Sequence, residues 1–385
     1  MSVDLPFHQS WLDDDEINEV TDTLKSGWLT TGPKALRFEE AFREQVGAGY
    51  AIALNSCTAG LHIAVKVSGL KPGDEVITTP MTFPATSNVL ALEGIKPVFV
   101  DIEPGTLNID PEKIEAKITP RTRAILPVHF AGHPCDMDAI EDIAQGRQLK
   151  IIEDAAHALG SEYKGKAVGG RGHLAAFSFY ANKNITTGEG GMLTLDDESQ
   201  AETLRALRLH GLSRDAWKRF GKSGFSHWEL NFPGYKYNMP DINAAIGIHQ
   251  LKKAPRFLQL RQAHAARYDA AFANETLIET LQTKDYALNS RHLYIITLNT
   301  DKLTVTRDEF LNHMQEAGIG VAVHYMALHL QPYYKNEFNL RDEDFPVATH
   351  YSHRVLSLPL YPKMTEADVD RVIQTTLDLI QKFRK

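Results

Sequence analysis

One stretch decides the fold of this chain: FSFYANKNITTGEGG, residues 177–191. A short strand-like run at its start ends in a polar loop that holds a single lysine, Lys183. The chain then turns through glycines and enters another apolar run, residues 192–195. A lysine held between packed aromatics and glycines is poorly placed to reach bulk water. Such a lysine loses its proton more easily and can act as an amine nucleophile.

Lys183 is therefore a candidate for covalent attachment to a carbonyl cofactor, such as pyridoxal 5'-phosphate (PLP). Taken alone, this interpretation is weak. The chain has 41 lysines and arginines, and most side chains of this kind are solvated surface charges. Other parts of the sequence have to support the assignment.

Composition and charge restrict the class of protein. A chain of 385 residues suffices for one large or two medium domains, and 43% hydrophobic with 23% charged residues is typical of a folded globular protein. The net charge of −8, without a basic block, argues against nucleic acid as a partner. Residues 1–6 lack signal-peptide features, and no apolar run is long enough to cross a membrane. The two cysteines, Cys57 and Cys135, have no metal-site or disulfide spacing, and we expect a cytoplasmic protein.

Residues 35–250 show the alternation of an α/β domain. Several short runs are apolar throughout, which is typical of central strands in a parallel sheet that is covered on both faces. Helical patterns separate several of these runs, as at residues 136–145, and this order predicts βαβ units. The predicted strands are residues 51–54, 75–78, 97–101, 124–128, 150–153 and 175–179.

The pattern changes after Lys253. We therefore predict a large domain, residues 1–253, and a smaller α+β domain, residues 254–385. The long segment 213–237 has no regular pattern, and irregular segments of this length are usually functional or interfacial. The elements predicted for the smaller domain are a helix over residues 256–273, a strand over residues 292–298, and helices that begin after caps at Thr306 and Thr365.

The segment SCTAG, residues 56–60, lies at a predicted strand-to-helix junction. Small residues let a phosphate approach the backbone there, and the amides and dipole at a helix N-terminus attract anions. Ser56 would also serve as an ordinary N-cap, and these residues alone favour that alternative.

Asp154 and His157 follow an apolar strand, at the carboxyl edge where open α/β sheets bind ligands. A buried aspartate needs a cation or hydrogen-bond donors, and a protonated pyridine nitrogen would serve. A capping aspartate and a core histidine explain the same residues equally well. Phe83 follows another strand end and could stack on a planar ring, although an isolated aromatic is more often part of the core.

Further polar residues have two interpretations each. Asn238 could donate to a phosphate, and Asp241 could simply cap the helix that follows it. His324, Tyr325 and His329 could reach a cleft between the domains or lie at the surface, and we favour the surface for His329. No spacing among the 16 histidines indicates a zinc site, and we expect no metal. A nucleophile elbow, a Walker loop and a Gly-x-Gly-x-x-Gly motif after the first strand are all missing, which disfavours a nicotinamide-binding domain.

Together and in this order, the motifs resemble those of the DegT/StrS-type sugar aminotransferases, which are PLP enzymes of the aspartate aminotransferase fold (PLP fold type I). The resemblance covers nearly the whole chain and is highly specific. It implies an α/β large domain with a mostly parallel sheet and a smaller α+β C-terminal domain. Within the family, the chain is most similar to the aminotransferases that make UDP-4-amino-4-deoxy-L-arabinose. The matching motifs are SGWLTTGP at residues 26–33, NSCTAG at 55–60, PGDEVI at 72–77, EDAAH at 153–157, the stretch 177–191, and GYKYN at 234–238.

The resemblance also implies roles for individual residues. Lys183 matches the lysine that binds PLP covalently, and Asp154 matches the acid that pairs with the pyridine nitrogen. His157 lies where the family places a residue beside the phenolic oxygen of PLP, and Phe83 matches an aromatic that stacks on the ring. Asn238 matches an asparagine that reaches the phosphate from the neighbouring subunit, which implies a homodimer with shared active sites. The residues that match the phosphate cradle are Thr58, Ala59 and Ser178.

The implied reaction moves an amino group from an amino acid, with L-glutamate as the expected donor, to a nucleotide-linked keto sugar, above all a UDP-4-keto sugar. Some relatives dehydrate sugars and carry histidine in place of the lysine, so Lys183 favours transamination. A sugar dehydratase and a non-catalytic paralogue that binds sugar nucleotides remain as alternatives. Cys57 and Phe83 occupy positions where relatives vary. The substrate-side candidates are Thr30, Thr31, Arg214, His324, Tyr325 and His329, and Lys218 is a further candidate for a diphosphate contact, with surface charge as the alternative for Arg214 and Lys218.

Overall fold

The computed structural model describes residues 4–212 and 229–385. Three sheets occur in this part of the chain, and the largest has seven strands. The strands are β1 Tyr50–Leu54, β2 Glu75–Thr78, β3 Lys96–Phe99, β4 Thr122–Leu126, β5 Lys150–Asp154, β6 Glu162–Tyr163, β7 Lys166–Ala167, β8 Leu174–Ser178, β9 Gly191–Leu195, β10 Ile278–Thr280, β11 Ala287–Leu288, β12 Tyr294–Leu298 and β13 Val355–Leu358.

The large sheet has the spatial order β1-β9-β8-β5-β4-β2-β3. Parallel pairing joins β3, β2, β4, β5 and β8, whereas β9 runs antiparallel to both of its neighbours, β8 and β1. Strands β2 and β9 are buried along their whole length, as expected for strands that are covered on both faces. The predicted α/β class with a mostly parallel sheet is confirmed, and each of the six predicted strands is present with small shifts of its ends.

Helices cover the large sheet and complete the C-terminal part. Ser56 caps α3, and the capping boxes at Thr306 and Thr365 start α8 and α11 as predicted. Within the described residues, no helix is long and apolar enough to cross a lipid bilayer. The helices are α1 Asp14–Ser26, α2 Pro33–Val46, α3 Cys57–Val67, α4 Ala85–Leu92, α5 Met137–Arg147, α6 Glu198–Leu207, α7 Asp241–Phe272, α8 Arg307–Glu316, α9 Pro332–Glu337, α10 Pro346–Ser352 and α11 Glu366–Phe383.

Helix α7 is longer than the sequence predicts. The two helices expected on either side of residue 253 form one helix of 32 residues, with Pro255 in its interior. An interior proline removes a backbone hydrogen bond and costs about 3 kcal/mol. The helix continues because Ile248, Leu251 and Phe257 on both sides of Pro255 pack into the same apolar core as α2. Residue 253 thus lies inside a helix, and the division into domains 1–253 and 254–385 stays a prediction.

The C-terminal part has a core of its own, built on a three-stranded antiparallel sheet of order β10-β12-β13. Helices α8 and α11 contribute Phe310, Met314, Val369 and Val372 to this core. Leu5, near the other end of the chain, is buried in the same cluster. Leu5 therefore belongs structurally to the C-terminal core.

A buried ion pair joins α2, β1 and the end of α6. Arg208, which follows α6, binds Glu39 of α2, and both side chains are almost fully buried. The Arg208 guanidinium also donates to the carbonyl oxygen of Ala53 in β1 at 2.9 Å, and the Ala53 amide donates to Glu39 at 2.9 Å. Loss of either charged side chain would leave the other charge buried without its partner, which is strongly destabilising.

We expect Glu39→Ala to lower the free energy of unfolding by about 3 kcal/mol, because it leaves the Arg208 charge buried without its partner. Glu40→Ala is the matched control. Glu40 pairs with Arg43 on the exposed face of the same helix, and its loss should change the free energy by no more than about 0.5 kcal/mol. Urea denaturation of both variants measures the difference, and equal midpoints would contradict the assignment.

Candidate active site

A cavity of about 700 Å³ opens at the carboxyl ends of β5 and β8, beside the start of α3. Its size suits a small-molecule ligand. Tyr180, Asn182 and Glu189 line it and lie within the stretch 177–191, so the motif could have identified them, whereas Gln331 carried no signal in the sequence. The predicted residues that line the cavity are Thr58, Phe83, Asp154, His157, Ser178, Lys183, His324 and Tyr325.

Lys183 lies in a tight turn after β8, where its amide donates to the Tyr180 carbonyl oxygen at 2.9 Å. Burial lowers the pKa of its amine to about 8, and Cys57 and Asp154 oppose this shift only in part. An ordinary lysine, with a pKa of about 10.4, is less than about 1% neutral at pH 8. Lys183 is about half neutral at that pH, so its amine is available as a nucleophile.

Asp154 ends β5 and is buried in the cavity wall. One carboxylate oxygen accepts from the Thr86 hydroxyl at 2.7 Å, and the other accepts from the Ala156 amide at 3.1 Å. Burial raises the pKa of Asp154, and these two hydrogen bonds and the charge of Lys183 oppose the shift. A second cation at the carboxylate would therefore stabilise its ionised form. The capping alternative is wrong, because Asp154 ends a strand and no described helix begins beside it.

His157 is surrounded by other rings. Its Nε2 lies 3.1 Å from the Tyr325 hydroxyl, and the ring of His292 packs against it with centroids 4.4 Å apart. Its Nδ1 is buried without a hydrogen-bond partner among the described residues. Burial holds the pKa of His157 well below its usual range, and the charges of Lys183 and His324 act in the same direction. The sequence did not identify His292 as a site residue, because His292 begins the run 292–298, which indicates only a core strand.

The start of α3 forms one end of the cavity. The Ser56 hydroxyl accepts from the Ala59 amide at 3.1 Å, which confirms the N-cap, while the other first-turn amides have no intrahelical partners. Gly191 of β9 approaches the same turn so closely that a Cβ would lie 2.4 Å from the carbonyl carbon of Ser56. Only glycine fits here. Cys57 and Thr58, the first two residues of the helix, line the cavity.

Phe83 lies at the cavity mouth and is 60% exposed, so the alternative of a core aromatic is wrong. His329 is fully buried, 2.8 Å from the Thr349 hydroxyl, and does not line the cavity. The surface position that we favoured for His329 is thus wrong, because the apolar cluster around Phe345 encloses it.

Other predicted residues lie away from this cavity. Thr31 is buried, and its hydroxyl donates to the Met239 carbonyl oxygen at 2.6 Å and accepts from Asn238. Neither Thr30 nor Asn238 lines the cavity of its own chain. The carboxylate of Asp241 accepts from the amides of Gly32, Lys34 and Ala35 and so caps α2. The expected cap of the helix that begins at Asp241, α7, is therefore wrong. Arg214 and Lys218 lie outside the described residues.

Comparison with known proteins identifies the family. The profile of the DegT/DnrJ/EryC1/StrS aminotransferase family matches residues 11–377. The chain belongs to this family. It is also 48% identical to the spore coat polysaccharide biosynthesis protein SpsC of Bacillus subtilis over 378 residues, which are 98% of this chain and 97% of SpsC.

Solved structures of other proteins superpose on nearly the whole chain. Spr1654 of Streptococcus pneumoniae, a sugar aminotransferase candidate solved in PMP and PLP forms, gives a TM-score of 0.93 for the PMP form at 35% identity, with 98% of this chain and 100% of that chain covered. Helicobacter pylori PseC, an aminotransferase involved in pseudoaminic acid biosynthesis, gives 0.91 at 32% identity, with coverage of 98% and 100%. The predicted type I fold, the class of PLP-dependent sugar aminotransferase and the cofactor PLP are confirmed.

The residues of this family member fit PLP. The buried carboxylate of Asp154 can pair with a cationic nitrogen, and the unpartnered Nδ1 of His157 offers a hydrogen bond. Ser56, Cys57 and Thr58 at the start of α3 line the cavity, so a phosphate can bind at the helix N-terminus. In the described part of the chain, no three His, Cys, Asp or Glu side chains are grouped to hold a metal ion.

Proposed function

We propose that this enzyme transfers the amino group of L-glutamate to a nucleotide-linked 4-keto sugar, with a UDP-linked sugar as the first candidate. The observation that carries the proposal is the pairing, in one cavity, of an amine with a lowered pKa at Lys183 and a buried carboxylate at Asp154. The names of SpsC and PseC, which refer to polysaccharide biosynthesis and to pseudoaminic acid biosynthesis, support a sugar acceptor.

Lys183 and Asp154 divide the chemistry between them. PLP supplies an electron sink when it is bound. Lys183 would hold the cofactor covalently, because its neutral amine is the nucleophile, and after the amine of the donor displaces it, Lys183 would take a proton as base and return it as acid. Its pKa of about 8 suits both directions of this transfer near neutral pH. Asp154 keeps the pyridine nitrogen protonated by offering a buried negative charge.

The remaining cavity residues orient the cofactor. We assign the phosphate to the first turn of α3, with Thr58, Ala59 and Ser178 as its contacts, because helix N-termini bind anions. Phe83 offers an exposed ring at the cavity mouth for stacking on the pyridine ring. His324 lines the same cavity, and its Nδ1 is 2.8 Å from the Ser357 hydroxyl, so it can present Nε2 to the sugar.

We propose a homodimer in which Asn238 reaches the PLP phosphate of the partner subunit. Two observations support it. Asn238 does not line the cavity of its own chain, and Lys236 and Thr31 hold its side chain in place. Exposed leucines are present on the first two helices, at Leu24 and Leu36, where a second subunit would cover them. Light scattering of the purified enzyme should give twice the chain mass, and a monomer would contradict the proposal.

We also propose that the enzyme acts in the cytoplasm. Cys57 and Cys135 are both free and buried, which suits a reducing compartment. Cell fractionation followed by detection of the enzyme tests this, and recovery outside the cytoplasmic fraction would contradict it.

A substrate screen tests the proposed reaction directly. PLP-loaded enzyme is incubated with L-glutamate and one nucleotide sugar at a time. The sugars tested are UDP-, dTDP- and GDP-linked 4-keto and 3-keto sugars. We expect 2-oxoglutarate and an amino sugar to form together, with the UDP-4-keto sugar giving the highest kcat/KM. Mass spectrometry of the products measures both. A sugar product without 2-oxoglutarate would indicate dehydration. If 2-oxoglutarate stays at about one equivalent per active site and no amino sugar forms, the sugar classes that were tested are excluded as acceptors.

A further inference from the structure

Tyr325 forms a hydrogen bond with His157, which is distant from it in the sequence. Its hydroxyl lies 3.1 Å from Nε2 of His157, and the two rings are stacked with an angle of 20° between them. The rings of Phe83 and Phe130 flank Tyr325, at centroid distances of 6.3 and 6.0 Å. The hydroxyl is therefore held in one position and is already engaged before a substrate arrives.

His157 is fixed from its other sides as well. The His292 ring packs against it, and the Ser290 hydroxyl donates to its carbonyl oxygen at 3.0 Å. His292 Nδ1 lies 3.1 Å from Oδ1 of Asn184, the residue that follows Lys183. Within the described chain, Nδ1 of His157 has no partner. It is thus the ring nitrogen that remains for a bound molecule.

The charge states of the two rings decide which nitrogen of His157 carries hydrogen. Burial holds the pKa of His157 well below its usual range, with Lys183 and His324 adding to the shift, and burial raises the pKa of Tyr325. Both side chains are therefore neutral near pH 7. A neutral imidazole has one donor and one acceptor nitrogen. When the Tyr325 hydroxyl donates to Nε2, the hydrogen of His157 must be on Nδ1.

We propose that Tyr325 is a positioning residue that fixes the Nδ1–H tautomer of His157, so that Nδ1 donates a hydrogen bond to the phenolic oxygen of PLP. This inference rests on the proposed function, in which His157 lies beside that oxygen. It gives Tyr325 a task different from the substrate contact that the sequence predicts. The opposite tautomer would present a lone pair to an oxygen that bears negative charge, and this contact would be repulsive.

The consequence is measurable in the cofactor itself. A hydrogen bond to the phenolic oxygen stabilises its negative charge and weakens its hold on the proton of the adjacent lysine–cofactor nitrogen. Without the donor, that proton is held more tightly. We expect Tyr325→Phe to raise the pKa at which the visible band of PLP-bound enzyme titrates by about one pH unit, since hydrogen bonds to charged groups have about this strength.

NMR of the holoenzyme tests the tautomer without any change at Tyr325. Two-bond ¹H–¹⁵N spectra distinguish the two nitrogens of an imidazole, and the spectrum of His157→Gln assigns the signal. Wild-type enzyme should show the Nδ1–H form alone, and Tyr325→Phe should show a mixture of the Nδ1–H and Nε2–H forms. We also expect kcat to fall about tenfold in Tyr325→Phe with little change in KM for the keto sugar.

Tyr268→Phe is the matched control. It removes a buried hydroxyl that donates to the Pro359 carbonyl oxygen at 2.9 Å, away from the cavity, and should move neither the tautomer nor the cofactor pKa. An Nε2–H tautomer in wild-type enzyme would overturn the proposal. So would an unchanged cofactor pKa in Tyr325→Phe, or a rise in KM alone, which would indicate a substrate contact. If wild-type enzyme shows no visible PLP band, the proposed function fails instead.

Discussion

Lys183→Ala is expected to lower kcat for amino transfer by at least about 10⁴-fold, the largest effect of any single substitution in this chain. The variant loses the covalent attachment of PLP and the group that moves the proton, and the two losses act on the same reaction. Purified wild-type enzyme should absorb in the visible range when loaded with PLP, and Lys183→Ala should lose this band. Steady-state assays with the sugar identified by the screen measure the loss of turnover.

The pKa of Lys183 adds a pH dependence to this experiment. Because burial lowers the pKa to about 8, the neutral fraction of the amine increases as the pH rises through 8. The rate at which apoenzyme takes up PLP should therefore rise with pH and level off above about pH 9. A rate that continues to rise toward pH 10.5 would show that the amine has the pKa of an ordinary lysine.

Lys166→Ala controls for unspecific reaction of PLP with surface amines. Lys166 lies on the exposed strand β7, and its replacement should leave both the visible band and kcat unchanged. Borohydride reduction of wild-type enzyme, followed by peptide mapping, should place the cofactor on Lys183. A labelled peptide that lacks Lys183, or a visible band that survives in Lys183→Ala, would contradict the assignment.

The large sheet was predictable because its strands are covered on both faces. Runs such as residues 51–54 are apolar throughout, and burial alone explains this pattern. The antiparallel direction of β9 was not predictable in this way, because a buried strand has the same apolar composition whether it runs parallel or antiparallel to its neighbours. The merging of two helices across Pro255 also depends on packing against another helix, which overrides the local preference of proline.

The cavity was partly predictable for a related reason. Asp154 and Lys183 stand at the ends of adjacent strands, and strand ends on one edge of a sheet meet in space. The contacts of His157 with His292 and Tyr325 link positions more than 100 residues apart, and no local pattern marks them. The burial of His329 has the same origin, because residues of several distant segments enclose it.

Asp154→Asn is expected to lower kcat about 10³-fold while the visible PLP band is retained. Asparagine has the shape of aspartate and can still accept from Thr86, but it carries no charge. The pyridine nitrogen of bound PLP then stays unprotonated, and the ring becomes a weaker electron sink. The band is retained because Lys183 is intact. Spectra and steady-state kinetics of the same preparation separate the two effects.

An N-methylated PLP analogue tests the cause of this loss. Its pyridine nitrogen carries a permanent positive charge, so it needs no carboxylate to hold a proton, and it should restore part of the activity of Asp154→Asn. Asp101→Asn is the control for burial. Asp101 is a buried carboxylate that accepts from the amides of Val347 and Ala348, and its change should lower stability by about 1–3 kcal/mol without altering kcat. If the analogue restores nothing while Asp101→Asn lowers kcat as much as Asp154→Asn, the carboxylate of Asp154 acts through the fold and not through the cofactor.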